Sequence, residues 1–184
     1  MKRITTYFIM MLTMVMTMSL TSCSEDQLIG MDLEGTWEGE TQARHIYNGQ
    51  VYQSSRTVLT FGSDWNHFTK GSGYWVDYYS SSPWGRNYIA NHIRWEVKNK
   101  VIHIYFEEDN YWIEIHDYRL NSGYFEGYIY TEDSDVYFRL RKVSDPNWNN
   151  YDYGYGYLYS KETRATNPEA IEIPKRLPFA KTEE

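Results

Sequence analysis

The 184-residue sequence predicts an all-β domain, either a sandwich or a barrel. Three observations carry that expectation. Tyr and Trp are abundant, at 19 and 7 residues, and both suit half-buried pleated surfaces. No long stretch repeats its apolar residues at the helical period. Eight short extended segments, separated by turn residues, follow one another at near-regular spacing.

The first segment runs from about Gly35 to Tyr47 and ends at Asn48-Gly49, a strong hairpin signal. The second covers Val51 to Phe61, with a turn at Gly62-Ser63-Asp64. The third, Asn66 to Tyr79, is interrupted by Gly71-Ser72-Gly73, which predicts a bulge or sharp bend. Ser80 to Asn87, with Pro83 and Gly85, reads as a loop. Tyr88–Lys98, Val101–Phe106, Tyr111–Leu120, Tyr124–Thr131 and Val136–Lys142 complete the set.

Simple hairpins across the later turns make a register that can be checked residue by residue. Val97 then faces Ile102, Trp95 faces Ile104 and Ile93 faces Phe106. Ile104 faces Ile113, Ile102 faces Ile115 and Ile115 faces Ile129. In the last hairpin Ile129 faces Phe138 and Gly127 faces Leu140. A one-residue slip would move every side chain to the other face, so this agreement specifies the register. The opposite face carries Arg94, Glu96, His103, Tyr105, Glu114, His116, Glu126, Tyr128, Tyr130, Tyr137, Arg139 and Arg141, and reads as the solvent side. A two-residue turn at Asn48-Gly49 would set Leu59 opposite Glu38, so a bulge or longer loop is expected near Gly49.

The N-terminus carries an address. Lys2 and Arg3 precede an uncharged run of 17 residues, Ile4 to Leu20, in the layout of a secretory signal. Leu20-Thr21-Ser22-Cys23 resembles the bacterial lipobox, which implies cleavage before Cys23 and its acylation. Two alternatives are an ordinary signal peptide with a chance Cys and a retained span, for which 17 residues is at the lower limit. Two or more acyl chains anchor a protein stably where one does not. Ser24-Glu25-Asp26 resembles the surface-export signal of Bacteroidota lipoproteins, which implies a lipid-anchored protein on the outer face of the outer membrane. Residues 1–22 are thus expected to be signal peptide and 23–32 an acylated tether. The remaining chain carries 16 Lys and Arg against 25 Asp and Glu, net −9, which argues against nucleic acid as a partner. With Cys23 acylated, no disulfide can form within one chain.

Leu33-Glu34-Gly35-Thr36-Trp37 resembles the Gly-x-Trp opening of lipocalin-like barrels, and the resemblance spans residues 33–143. It is also similar to the lipocalin-like domains of small Bacteroidota lipoproteins. The resemblance implies an eight-stranded antiparallel up-and-down barrel with Gly35 and Trp37 closing one end. It also implies a late Arg packed on that Trp, for which Arg139 and Arg141 are the candidates, although the register turns both outward. Eight strands enclose a filled core or one small ligand; bulky inward Trp95, Phe106 and Phe138 favour a filled one.

Beyond Lys142, residues 144–184 form a Tyr-rich, then polar tail. Tyr151, Tyr153, Tyr155, Tyr157 and Tyr159 recur at every second position. The segment reads either as a strap on the Tyr-rich face or as low-complexity tail. Thr163 to Glu184, with three prolines, reads as poorly ordered.

No nucleophile elbow, P-loop or zinc-protease motif occurs, so neither an enzyme nor a cofactor is expected. His103, Glu114 and His116 lie on neighbouring outward positions, where a solvated charged face is the expectation over a metal site. The acidic pairs Glu107-Glu108 and Glu132/Asp133 read as solubilising turns rather than a glycosidase pair, and Glu107, Glu108 and Asp109 as such a turn rather than a Ca²⁺ site. The function expected is recognition by an exposed surface, with a glycan or an envelope protein as partner. Trp84, Trp112, Tyr128, Tyr130 and Tyr137 are the candidate platforms. The alternative is a carrier holding a small apolar ligand within the barrel.

Overall fold

A computed structural model describes residues 25–64, 66–131, 135–158 and 172–179. The signal segment, Cys23, Ser24, the turn residues Glu132 and Asp133, and Tyr159 lie outside the described residues.

Eight antiparallel strands close into a barrel: β1 (Gly35–Glu40), β4 (Arg56–Asp64), β5 (His67–Tyr78), β6 (Tyr88–Lys98), β7 (Val101–Phe106), β8 (Tyr111–Leu120), β9 (Tyr124–Tyr130) and β10 (Asp135–Val143). Each pairs with its sequence neighbour in the barrel, and β1 closes the ring between β10 and β4. The register from β6 to β8 is the one expected, with Trp95 opposite Ile104, Ile104 opposite Ile113 and Ile102 opposite Ile115.

The last hairpin is displaced by two residues. Ile129 faces Val136, Gly127 faces Phe138 and Phe125 faces Leu140, while outside Tyr128 faces Tyr137 and Glu126 faces Arg139. A displacement of two leaves every side chain on its expected face, which is why alternation alone did not reveal it. Between β8 and β9 the register shifts by one after His116, where Asp117 has a φ of 48°. This bulge turns Tyr118 towards the core, onto Phe125.

The first two expected segments each divide. β2 (Arg44–Tyr47) and β3 (Gln50–Gln53) leave the barrel as a hairpin, joined by β11 (Lys175–Arg176) in a small sheet of its own. The turn at Asn48-Gly49 is a regular two-residue one, with positive φ at both residues. The expected irregularity lies instead where the chain leaves β1: Thr41 and Gln42 stand against the single Ser55, and Gln42 has a φ of 56°. That extra residue sets Leu59 opposite Trp37, apolar against apolar. Gly71 and Gly73 lie in regular pairing rather than at a bulge; the irregularity falls just before them, between Ser63 and Asp64 on the partner strand. They are glycines because a Cβ at Gly73 would sit 1.8 Å from the Thr60 carbonyl oxygen, and one at Gly71 would sit 1.9 Å from that of Gly62.

The barrel interior is filled. Trp37, Leu59, Phe61, Trp75, Trp95, Phe106, Phe125 and Phe138 are all buried. Their rings meet edge to face: Trp37 with Phe125, Phe61 with Trp95 and with Phe125, Phe125 with Phe138, and Trp75 with Phe106. Such contacts add to the burial of large apolar area.

Both ends are stoppered by chain expected to be loose. Residues 25–33 form a helix, α1, rather than a tether. Its Asp26 carboxylate accepts the backbone N–H groups of Asn99 and Lys100 at 2.9 and 2.8 Å. Gly30 lies against the Phe68 carbonyl, and buried Leu33 offers its carbonyl to the Trp37 indole N–H at 2.8 Å. The cation over Trp37 is Lys142, with Nζ 5.0 Å from the ring, and neither expected arginine. Arg141 instead pairs with Glu38, and Arg139 lies over Tyr124.

At the opposite end, residues 172–179 enter the structure instead of trailing from it. Phe179 is buried against Trp75. Arg176 is enclosed between Asp77, at 3.0 Å, and Asp109, at 2.7 Å, with its guanidinium 4.2 Å from the Phe106 ring. Across the small sheet from Arg176 lies fully buried His45, whose Nδ1 meets the Tyr79 hydroxyl. Burial and the Arg176 charge hold the His45 pKa well below its ordinary value.

Candidate functional site

The chain's outer aromatic surface divides in two. One part is covered by the chain itself. Residues leaving β10 run along β5 and β6, where Trp148 stacks on Tyr74 at 5.1 Å, and Tyr153 lies 5.0 Å from Tyr74 and 4.2 Å from His92. Tyr151 packs against Tyr88 and shares a hydrogen bond with Tyr78. Gly154, at a φ of 65°, then turns the chain towards the barrel mouth, and its N–H bonds the Ala90 carbonyl. Tyr155 donates to Asp109 at 2.7 Å, and burial raises its pKa. From Tyr151 to Tyr157 the Tyr repeat is therefore a docked strap.

Trp84 belongs to this covered part, which corrects its expected place on an exposed platform. It is 2% exposed, with Tyr79, Tyr52 and Tyr47 edge-on around it at 4.9, 5.3 and 6.0 Å. The β2–β3 hairpin and the strap fold over the β5–β6 loop and bury the indole, an outcome set by segments distant in sequence.

The other part is open. Trp112 is 60% exposed on β8 and stands beside Tyr105 of β7, its direct cross-strand partner, with ring centres 4.7 Å apart and planes at 35°. The Arg94 guanidinium lies 5.0 Å from the Tyr105 ring and is held by Glu107 at 2.8 Å. A groove of about 780 Å³ runs from Trp112 across Tyr105, Arg94 and Glu96 to Ser72, Lys70 and Asp64. Gly71 and Ser72 leave room for it because they offer little bulk, and Asp64 and Lys70, at the irregular end of β4–β5, line its far side. Asn110 closes one side, accepting a hydrogen bond from the Tyr105 hydroxyl at 2.9 Å.

Trp112 also borders a second hollow, about 450 Å³, with Glu114, His116 and Tyr130. There Tyr130 lies 4.6 Å from the His116 ring and donates to Asp117, a bond that raises its pKa. Glu114 bridges the two imidazoles, 2.8 Å from His116 and 3.3 Å from His103. Farther round, Tyr128 and Tyr137 meet edge to face at 5.5 Å, and Tyr137 donates to Glu126. Trp112, Tyr128, Tyr130 and Tyr137 thus share the outer face, while Gly35 and Trp37 sit at the α1 end, away from it.

The acidic turn is spent in three directions, Glu107 on an ion pair with Arg94, Glu108 on a hydrogen bond with His92 and Asp109 on an ion pair with Arg176. Among the described residues no cluster of three or more His, Cys, Asp or Glu is arranged to hold a metal ion. Sequence reasoning missed Tyr105, Arg94, Lys70 and Asp64 as one site. The Tyr105–Trp112 pair was implicit in the expected β7–β8 register; the Asp64 and Lys70 side was not, because it depends on the β4–β5 irregularity. Compared with models of known protein families and with curated proteins, the sequence matches none.

Proposed function

We propose that the protein is a surface-exposed, lipid-anchored recognition module that binds a glycan in the groove beside Trp112. The observation that carries this reading is the Trp112–Tyr105 pair, an open aromatic shelf at the edge of a groove lined, apart from Gly71 and Trp95, by polar and charged side chains. A sugar ring offers an apolar C–H face and hydroxyls in fixed directions. The shelf matches the first, and Arg94, Glu96, Lys70, Asp64 and Asn110 match the second. The filled interior, with eight bulky side chains along it, speaks against a ligand carried inside. The anchor is Cys23, and the expected address is the outer membrane.

A glycan array probed with the soluble chain tests the reading, followed by titration of the best sugar against Trp112→Ala. Exposed Trp112 contributes little to packing, so the variant should keep its melting temperature and lose sugar binding by at least about tenfold, the effect of removing a buried aromatic contact. Equal affinity in the variant would refute the groove as the site. A lipid-like molecule held stoichiometrically in native mass spectrometry would refute it in favour of the carrier.

A further inference from the structure

We infer that the α1 end of the barrel is a membrane seat, which presses Leu28, Met31 and Phe68 into the headgroup region of a lipid bilayer. The inference rests on the lipid-anchor reading and goes beyond it, since an anchored domain on a loose tether would have no fixed orientation.

The argument starts from the helix. Leu28 and Met31 are three residues apart, so they lie on one face of α1. They are 61% and 53% exposed, while Ile29, Gly30 and Leu33 face the barrel. Phe68 is 41% exposed, and its carbonyl lies against Gly30, which puts its backbone beside the same helix. Among the described residues, Leu28, Met31 and Phe68 account for all but one of the exposed large aliphatic and phenylalanine side chains; the other, Val51, is on the hairpin at the opposite end.

The helix is not free to turn away. Asp26 is 8% exposed and accepts two backbone N–H groups of the β6–β7 turn, and Glu25 pairs with Lys100 at 2.8 Å. Gly30 is pressed so closely on β5 that a Cβ would lie 1.7 Å from the Phe68 oxygen. Cys23 lies two residues before Glu25, and at most ~3.6 Å per residue separates the acyl chains from the start of the helix. The short chain outside the structure therefore selects the occupant of the patch: a bilayer must lie within reach of it. Lys98 stands exposed at the same turn, where its charge suits anionic headgroups. Amphipathic helices bury their apolar face at this depth. With this end seated, the Trp112 groove opens sideways, parallel to the membrane, and the Phe179-stoppered mouth points outward.

The test uses the full acylated chain in vesicles of phosphatidylethanolamine and phosphatidylglycerol. Acylation leaves no free thiol, so an environment-sensitive fluorophore can be placed through Met31→Cys, Leu28→Cys or Val51→Cys. Expected are a blue shift and loss of most of the emission at positions 31 and 28 with lipids brominated near the headgroup, and neither change at 51. Probes at 28 and 31 that stay water-exposed on chains that float with the vesicles would overturn the seat and leave the anchor standing. Quenching by a labelled second copy and not by lipid would overturn it in favour of self-association. Chains that do not float, and show no acyl mass, would overturn both.

Discussion

Arg176→Leu should unfold the mouth of the barrel opposite α1. In the folded chain its guanidinium is 1% exposed and lies between Asp77, whose side chain is fully buried, and Asp109, 5% exposed. Asp77 also accepts hydrogen bonds from Thr57 and the Trp75 indole, and these cannot neutralise it. Leucine restores the apolar contact with Phe106 but leaves two buried carboxylates without a cation. Removing one partner of a buried pair costs about 3–5 kcal/mol. At a urea m-value near 2 kcal/mol/M the midpoint falls by roughly 1.5–2.5 M. Asp77 and Asp109 supply the penalty, so Arg176→Leu with Asp77→Asn and Asp109→Asn should recover much of the loss. Urea denaturation followed by tryptophan fluorescence reads both values. A midpoint within about 0.5 M of the parent for Arg176→Leu, or no recovery in the triple variant, would refute the argument that residues 172–179 are held at the mouth by this cluster.

Two further outcomes follow from the packing. Ile104→Ala or Ile115→Ala empties a fully buried site and should cost about 2–5 kcal/mol, whereas His103→Ala, on the outer face, should stay within about 0.5 kcal/mol; chemical denaturation giving the reverse order would mean the faces are exchanged. His45 is buried neutral beside Tyr79 and Arg176, with its pKa depressed, so the unfolded chain binds a proton near pH 6.5 that the folded chain does not. Stability then falls as pH drops below that point, by up to about 1.4 kcal/mol per pH unit from this group. His45→Gln should flatten the profile, and an identical slope in parent and variant would exclude the mechanism.

Alternation of apolar and polar residues was enough to predict most of this barrel. Ile93, Trp95 and Val97 against Ile102, Ile104 and Phe106 exclude a slip of one residue, which would expose the whole set. Where a different register leaves the faces unchanged, the pattern is silent, and the last hairpin accordingly sits two residues from its expected pairing. Part of the candidate site was legible in the same way: Arg94, Glu96, Tyr105 and Trp112, which line the groove, fall on the outer face by parity alone.

What the sequence by itself determined is the β class, the strand sequence from β4 to β10 and the division of side chains between core and surface. Each depends on neighbours within one hairpin. Only the tertiary structure decided the exit of β2–β3 from the barrel, the docking of α1, the strap and the two stoppers. Asp26 finds its partners 73 and 74 residues away, and Arg176 finds Asp77 at a separation of 99. Trp84 shows the consequence: local signals put it in an exposed loop, and Tyr47, Tyr52 and the strap bury it. No local periodicity encodes contacts across such distances, because the partners are brought together only when the barrel closes.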